Sequence, residues 1–148
     1  MTLPILKDIS PTKGLQLDEK IALDNFLGKN QEQASKLFFK NALYYSDDLI
    51  FMGGKGFAFY FPALLPYIQS VDSNLNSDVV DVLIVIIEAR IDRDLDSIKL
   101  ASTSILEALN YCLENYEKFG VDISIYGNLE KKMIKLINFI EDKIQIEE

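Results

Sequence analysis

The sequence contains no histidine and no tryptophan, and its 148 residues include a single cysteine, Cys112. The commonest general base and the commonest metal ligand of proteins are therefore both missing. A single thiol cannot form an internal disulfide, which agrees with a reducing cytoplasm. Cys112 also has neither a basic neighbour nor a histidine to lower its pKa, so we expect it to be buried and unreactive. These absences favour a protein without catalytic residues, metal or cofactor.

Long apolar runs are missing as well. The longest aliphatic run, residues 82–87, has six residues, whereas a membrane-spanning helix needs about 20. The N-terminus lacks the basic region and the apolar stretch of a secretory signal. We therefore expect a cytoplasmic protein that has no membrane partner.

The content of the chain is otherwise that of one globular domain. Hydrophobic residues make up 49% of the sequence and charged residues 26%, which is typical of a chain that folds around a packed core. A chain of 148 residues is also long enough to bury such a core without disulfides. We expect a single helical domain over residues 1–148.

Negative charge is concentrated in one part of the sequence. The net charge is −8, and residues 70–117 contain ten acidic residues against Arg90, Arg93 and Lys99. A field of this sign repels nucleic acid and anionic lipid and attracts basic protein surfaces. The alternative is that the charge serves solubility alone.

Turn residues divide the first part of the chain. Residues 1–14 hold two prolines and a glycine without a sustained period, so we expect an irregular N-terminal arm. A first helix is predicted from Asp18 to about Leu27, where Gly28 ends it. A second begins at the capping box of Asn30 and Gln33 and is predicted to end near Tyr45.

Residues 78–93 combine the β-branched composition of a strand with the charge spacing of a helix. The acidic residues Asp78, Asp81, Glu88 and Asp92 fall within about 80° of one another at 100° per residue. On a strand, Asp81 would point away from the other three. The spacing predicts a helix, and its wide apolar arc makes it the central helix of a bundle of five or six helices.

The remaining chain also has helical periodicity. Apolar residues from Ile98 to Phe119 predict one long helix that Gly120 ends. A loop follows over residues 121–127, and Asn128 caps a final helix with a buried stripe that includes Met133 and Ile137. Three lysines of this helix, Lys131, Lys132 and Lys135, are interpreted as its solvated face.

Two acidic or glycine-rich segments resemble ligand sites without meeting their requirements. Residues 92–97 alternate carboxylates, but a calcium loop needs glycine at its sixth position, where Ser97 stands. We expect a turn there, with carboxylates favouring the N-terminus of the next helix. Residues 53–56 are interpreted as a flexible turn with left-handed backbone, because the pattern of a phosphate-binding loop is incomplete.

Two other function classes have candidate residues. Asp47 and Asp48 form a carboxylate pair of the kind that enzymes use for acid and base chemistry, although helix capping explains them more simply. The aromatic block of residues 57–67 is able to line a pocket for a small molecule or effector, although such clusters are more often core.

The aromatic block also resembles a segment of known proteins. Together with Tyr44-Tyr45 and Asp48-Leu49 it is similar to a block found in small, mostly uncharacterised bacterial helical proteins, some of which are immunity proteins that neutralise a toxin. The resemblance covers residues 44–67. It implies an all-helical fold and a protein-binding role, and it assigns no functional residue.

The sequence therefore predicts an all-α, non-catalytic binding protein, in the manner of an immunity or inhibitor protein. Its partner would be a basic protein, for example a toxin. The expected partner-binding residues are the carboxylates of the central helix and of the turn that follows it: Asp78, Asp81, Glu88, Asp92, Asp94 and Asp96.

Overall fold

The computed structural model describes residues 2–147 and shows a single all-α domain, which confirms the predicted fold class. No strand occurs within these residues. The α-helices, in chain order, are α1 (Leu6–Ile9), α2 (Leu17–Phe26), α3 (Gln31–Phe51), α4 (Gly54–Tyr60), α5 (Leu65–Ile68), α6 (Ser77–Arg93), α7 (Leu95–Leu100), α8 (Ser102–Glu114), α9 (Ile123–Tyr126) and α10 (Leu129–Glu147). Short 3-10 helices cover Phe61–Leu64, Val71–Ser73 and Tyr116–Phe119.

Helix α6 is the central helix that the sequence predicts for residues 78–93. It packs against α3, α7 and α10, and its buried side includes Val80, Leu83 and Ile87. Helix α3 is a second centre, because it packs against α2, α4 and α6. Helices α3 and α6 therefore pack against each other at the centre of the domain. The acidic side of α6 faces solvent.

The predicted end of the second helix at Tyr45 is wrong, because α3 continues to Phe51. The helix instead breaks at Asn41, which has φ −160° and ψ 87°. The Asn41 side chain accepts a hydrogen bond from the Tyr44 amide at 3.1 Å, as an N-cap does at the start of a helix. Asp47 and Asp48 consequently lie within a helix and do not cap one.

The glycine segment adopts a different geometry from the predicted turn. Gly53 has φ −59°, and Gly54 begins α4, so left-handed backbone is not the reason for glycine here. A Cβ on Gly53 would overlap the Asp8 carbonyl oxygen, and one on Gly54 would lie 2.5 Å from Asp94 Oδ2. Glycine is needed because two other segments approach this backbone closely.

The N-terminal segment is irregular apart from the single turn of α1, and it is fastened to the domain. The Gly53 amide donates to the Ile9 carbonyl at 2.8 Å. The buried Glu19 carboxylate accepts from the Ser10 hydroxyl and from the Thr12 amide and hydroxyl, at 2.8–3.0 Å. Burial alone would raise the pKa of Glu19, but these hydrogen bonds outweigh it and hold the pKa below its ordinary value.

The predicted long helix from Ile98 to Phe119 is divided. Ala101 has φ −102° and ψ 10°, which ends α7 and starts α8, and the last turn is a separate 3-10 helix. Gly120 ends the run in the left-handed conformation, as the sequence predicts. The Asn128 side chain accepts from the Lys131 amide at 3.0 Å, in agreement with its predicted capping of the final helix.

A buried arginine joins the middle of the chain to α6. Arg90 is 1% exposed, and its guanidinium donates to the carbonyls of Ile50 and Met52 at the end of α3. It also donates to the Ser97 hydroxyl at 3.2 Å. These bonds satisfy carbonyls that a helix C-terminus leaves without partners. Burial lowers the pKa of Arg90 to about 10, so the side chain stays charged at neutral pH.

Candidate functional site

The acidic side of α6 forms a continuous row along the helix surface. Asp78, Asp81, Val85, Glu88 and Asp92 follow one another at spacings of three and four residues, which places them on one face. Asp78, Glu88 and Asp92 are exposed, Asp81 is half-buried, and Val85 is 44% exposed. We call these five side chains the acidic stripe. The apolar Val85 at its centre was not predicted as part of a site.

The structure gives three of the predicted site residues other surroundings. The Asp78 carboxylate accepts a hydrogen bond from the Tyr126 hydroxyl of α9, so it is tied to the fold. Asp94 occupies the N-cap position of α7, but its carboxylate makes no capping hydrogen bond and is bound by Arg90 at 3.3 Å instead. Asp96 is exposed in the first turn of α7, where a carboxylate favours the helix N-terminus as predicted, and it is not part of α6. Asp81, Glu88 and Asp92 therefore remain as the central carboxylates of the candidate site.

A groove of about 640 Å³ lies beside the acidic stripe, between α6 and α10. Helix α6 contributes one wall and α10 the other, and the lining residues are Glu88, Ile91, Asp92, Lys132, Lys135, Leu136 and Phe139. We call it the α6–α10 groove. Its apolar side chains are half-buried, so they form an open floor.

The groove has opposite charges on its two walls. Glu88 and Asp92 lie on the α6 wall, and Lys132 and Lys135 lie on the α10 wall. Within the described part of the chain, none of these four side chains forms an ion pair across the groove. Two of the three lysines interpreted as a solvated face thus border a cavity. Their spacing with Phe139 on one face of α10 was the signal available in the sequence.

Asp48, one of the two candidates for acid and base chemistry, is buried on the side of α3 that packs against α2. The Asp48 carboxylate accepts a hydrogen bond from the side-chain amide of Asn25 at 2.7 Å, and Asp48 is 5% exposed. Burial raises the pKa of Asp48 to about 6, and the nearby Asp47 and Asp18 act in the same direction against the bond from Asn25. Asp47 itself is exposed. The two carboxylates therefore differ in exposure, and the buried one, Asp48, is nearly inaccessible from solvent.

Replacing Asp48 by asparagine is expected to stabilise the protein at pH 7 by about 1–3 kcal/mol, because it removes a charge that the fold disfavours. The folded pKa lies above the ordinary value of 3.8. The contribution of Asp48 to stability is therefore fully present below pH 3.8 and is lost as the pH rises through about 6. The unfolding free energy of the wild type should fall more steeply between pH 5 and pH 7 than that of the variant.

Urea denaturation at several pH values measures this difference, and Asp142→Asn is the matched control because Asp142 is exposed and does not act on the pKa of Asp48. The window above pH 5 avoids Glu19, whose lowered pKa affects stability only in more acidic solution. Equal pH profiles for wild type and Asp48→Asn would show that Asp48 is ionised as easily in the folded state as in the unfolded chain.

The aromatic block of residues 57–67 forms core. Phe57, Tyr60, Phe61 and Leu64 are fully buried, and the Tyr60 hydroxyl donates to the carbonyls of Phe26 and Lys29 at 2.8 Å. The hollow that includes Phe59 has only about 180 Å³, below the roughly 300 Å³ of a usual small-molecule site. The fully buried residues of the block therefore act as core.

The thiol of Cys112 lies in the core. Cys112 is buried as predicted, and burial raises its pKa to about 12, so the thiol remains protonated at neutral pH. Among the described side chains, no three acidic or cysteine residues are arranged as metal ligands would be. Within residues 2–147, no helix combines the length and the apolar composition that crossing a membrane requires.

Comparison of the chain with protein-family models, with curated proteins and with solved structures gives no significant match. The acidic stripe and the groove beside it are the structural features that bear on function.

Proposed function

We propose that this protein is a cytoplasmic, non-catalytic binding module that docks a basic protein partner on α6. In this proposal it acts as an immunity or inhibitor protein, and a toxin domain is the kind of partner it would neutralise. The acidic stripe attracts the partner, and the chain's concentration of negative charge in residues 70–117 speeds their encounter.

One observation carries the proposal, namely that an exposed valine stands in the middle of a row of carboxylates. Val85 is 44% exposed, with Asp81 one turn before it and Glu88 one turn after it. Protein interfaces commonly combine an apolar centre, which loses its water on binding, with a charged rim that sets specificity. Solubility alone would require the charges but not the valine.

The test is a double charge reversal, Asp81→Lys with Glu88→Lys. Folding should change little, because substitutions on the surface usually alter stability by less than about 0.5 kcal/mol. Association with the basic partner should slow by roughly tenfold or more at low salt, since like charges now meet across the interface. The partner is isolated by pull-down from the native lysate, and its binding kinetics are then measured at low and high salt.

The matched control is Glu32→Lys with Glu141→Lys, which changes the net charge equally at exposed positions outside α6. If the control slows association as much as the α6 variant, total charge rather than the acidic stripe governs binding. If both variants bind like the wild type at every salt concentration, the acidic stripe is only a solvated surface and the proposal is wrong.

A further inference from the structure

The α6–α10 groove has an apolar floor that no described helix covers. Ile91 on α6 and Leu136 and Phe139 on α10 are half-buried and line the open space between the two helices. A third helix that rests on two packed helices fills such a groove with side chains of one face, at interaxial distances of about 8–10 Å. An apolar groove between two helices is a surface on which an amphipathic helix docks, whereas β-strand addition needs a free sheet edge, and residues 2–147 contain no strand.

The charges on the walls define the edges of that helix. Glu88 and Asp92 are four residues apart, about 6 Å along α6. Lys132 and Lys135 are three residues apart, about 4.5 Å along α10. Lys143, further along α10, has its Nζ 5.3 Å from the centre of the Phe139 ring, so a third positive charge lies near this floor residue. An occupant with charges of one sign on both edges would meet like charge on one wall.

We propose that the α6–α10 groove binds an amphipathic helix of a protein partner, with basic side chains along the edge that faces α6 and acidic side chains along the edge that faces α10. The inference rests on the proposed function in that the partner is a protein with a basic surface. The segment of the partner that is recognised is a helix. Its direction along the groove is fixed, because turning the helix end for end exchanges its two edges.

The probe for this inference is a synthetic 18-residue helical peptide with an apolar stripe, lysines along one edge and glutamates along the other. A second peptide has the same composition with lysine and glutamate alternating on both edges. We expect the first peptide to bind the wild-type protein with a Kd in the micromolar range and the second to bind at least about tenfold more weakly. Fluorescence anisotropy of end-labelled peptides measures both affinities.

Wall reversals separate the recognition of two edges from general charge attraction. Glu88→Lys with Asp92→Lys, and separately Lys132→Glu with Lys135→Glu, should each weaken binding of the first peptide by about tenfold or more. All four changes together should restore binding, because the peptide then binds in the opposite direction. A paramagnetic label at the peptide N-terminus should accordingly broaden amide signals at opposite ends of α6 in the wild type and in the fourfold variant.

The matched controls change the same net charge outside the groove. Glu32→Lys with Glu141→Lys corresponds to the α6 reversal, and Lys40→Glu with Lys131→Glu corresponds to the α10 reversal; all four positions are exposed. Both controls should bind the first peptide like the wild type. Circular dichroism melting curves establish that each variant is folded.

Three results would overturn the inference. The first is equal binding of both peptides, and the second is a fourfold variant that binds no better than the single-wall variants. The third is a wild-type dimer in sedimentation velocity that either single-wall reversal dissociates, which would assign the groove to a second copy of the chain.

The inference and the proposed function have separate measurements. The proposed function concerns capture of the native partner by the acidic stripe and requires no lysine. If Lys132→Glu with Lys135→Glu leaves native association unchanged or faster while the two peptides bind equally, the groove inference fails and the proposed function stands. If peptide recognition follows the two walls but Asp81→Lys with Val85→Lys, two stripe positions that do not line the groove, captures the native partner normally, the stripe proposal fails and the groove inference stands.

Discussion

Replacing Arg90 by alanine should lower the free energy of unfolding by about 3–5 kcal/mol, which is typical of removing one partner from a buried charged network. The guanidinium donates to the Ile50 and Met52 carbonyls and to the Ser97 hydroxyl. It also lies over the Phe57 ring, 4.8 Å from the ring centre. Without it, the buried carbonyl of Met52 at the end of α3 would lose this donor. Arg90→Lys should also destabilise, because an ammonium group cannot replace the planar fork of donors.

Urea denaturation followed by far-UV circular dichroism measures the change, with Arg93→Ala as the matched control. Arg93 donates to the same Ile50 carbonyl at 2.7 Å, but its side chain is exposed. Its removal should cost no more than about 1 kcal/mol, because water can replace the lost donor. Similar losses for the two alanine variants would show that the buried network of Arg90 contributes no more than a surface contact.

Replacing Phe61 by alanine should destabilise the protein by about 3–5 kcal/mol, the usual cost of removing a fully buried aromatic side chain. Phe61 is fully buried, and its ring lies 5.4 Å from the Phe57 ring, centre to centre. The loss combines the transfer of apolar surface to water with the cavity that remains. Phe61→Leu keeps most of the volume and should cost much less.

The control for Phe61 is Phe39→Ala on α3, because Phe39 is 41% exposed. Its ring contacts the Tyr67 ring at 5.5 Å, so we expect a loss of about 1 kcal/mol. Thermal and urea denaturation give both values. An unfolding free energy for Phe61→Ala within error of that for Phe39→Ala would contradict the assignment of this block to the core.

The fold could be predicted from the sequence where the spacing of side chains and the capping residues alone determine a helix. The charge spacing of α6, the capping box at Asn30 and the stop at Gly120 are local signals, and the structure confirms them. The spacing of apolar residues does not reveal the break of α3 at Asn41 or the break between α7 and α8 at Ala101. Such breaks depend on how a helix packs against its neighbours, which the sequence pattern does not contain.

The candidate site could be predicted only in part for a related reason. Helical spacing places Asp81, Glu88 and Asp92 on one face of α6, and this face reaches solvent. The periodicity of α6 cannot show that Lys132 and Lys135 stand across a groove, because α10 is about 40 residues away in the chain. The role of Asp94 also depends on a distant element, since its partner Arg90 is held by the end of α3.

The three glycines of residues 53–56 bear on how relatives of this protein would vary. Gly53 and Gly56 are both met by Asp8 from the N-terminal segment, and Gly54 is met by Asp94 from the end of α6. Lys55 between them is exposed and has no such constraint. In a relative that keeps this three-segment junction we expect glycine above all at position 53, because the obstacle there is the backbone oxygen of Asp8, whereas the obstacle at position 54 is the end of the flexible Asp94 side chain. The pattern Gly-Gly-x-Gly therefore reflects, in this fold, the close approach of two other segments of the chain.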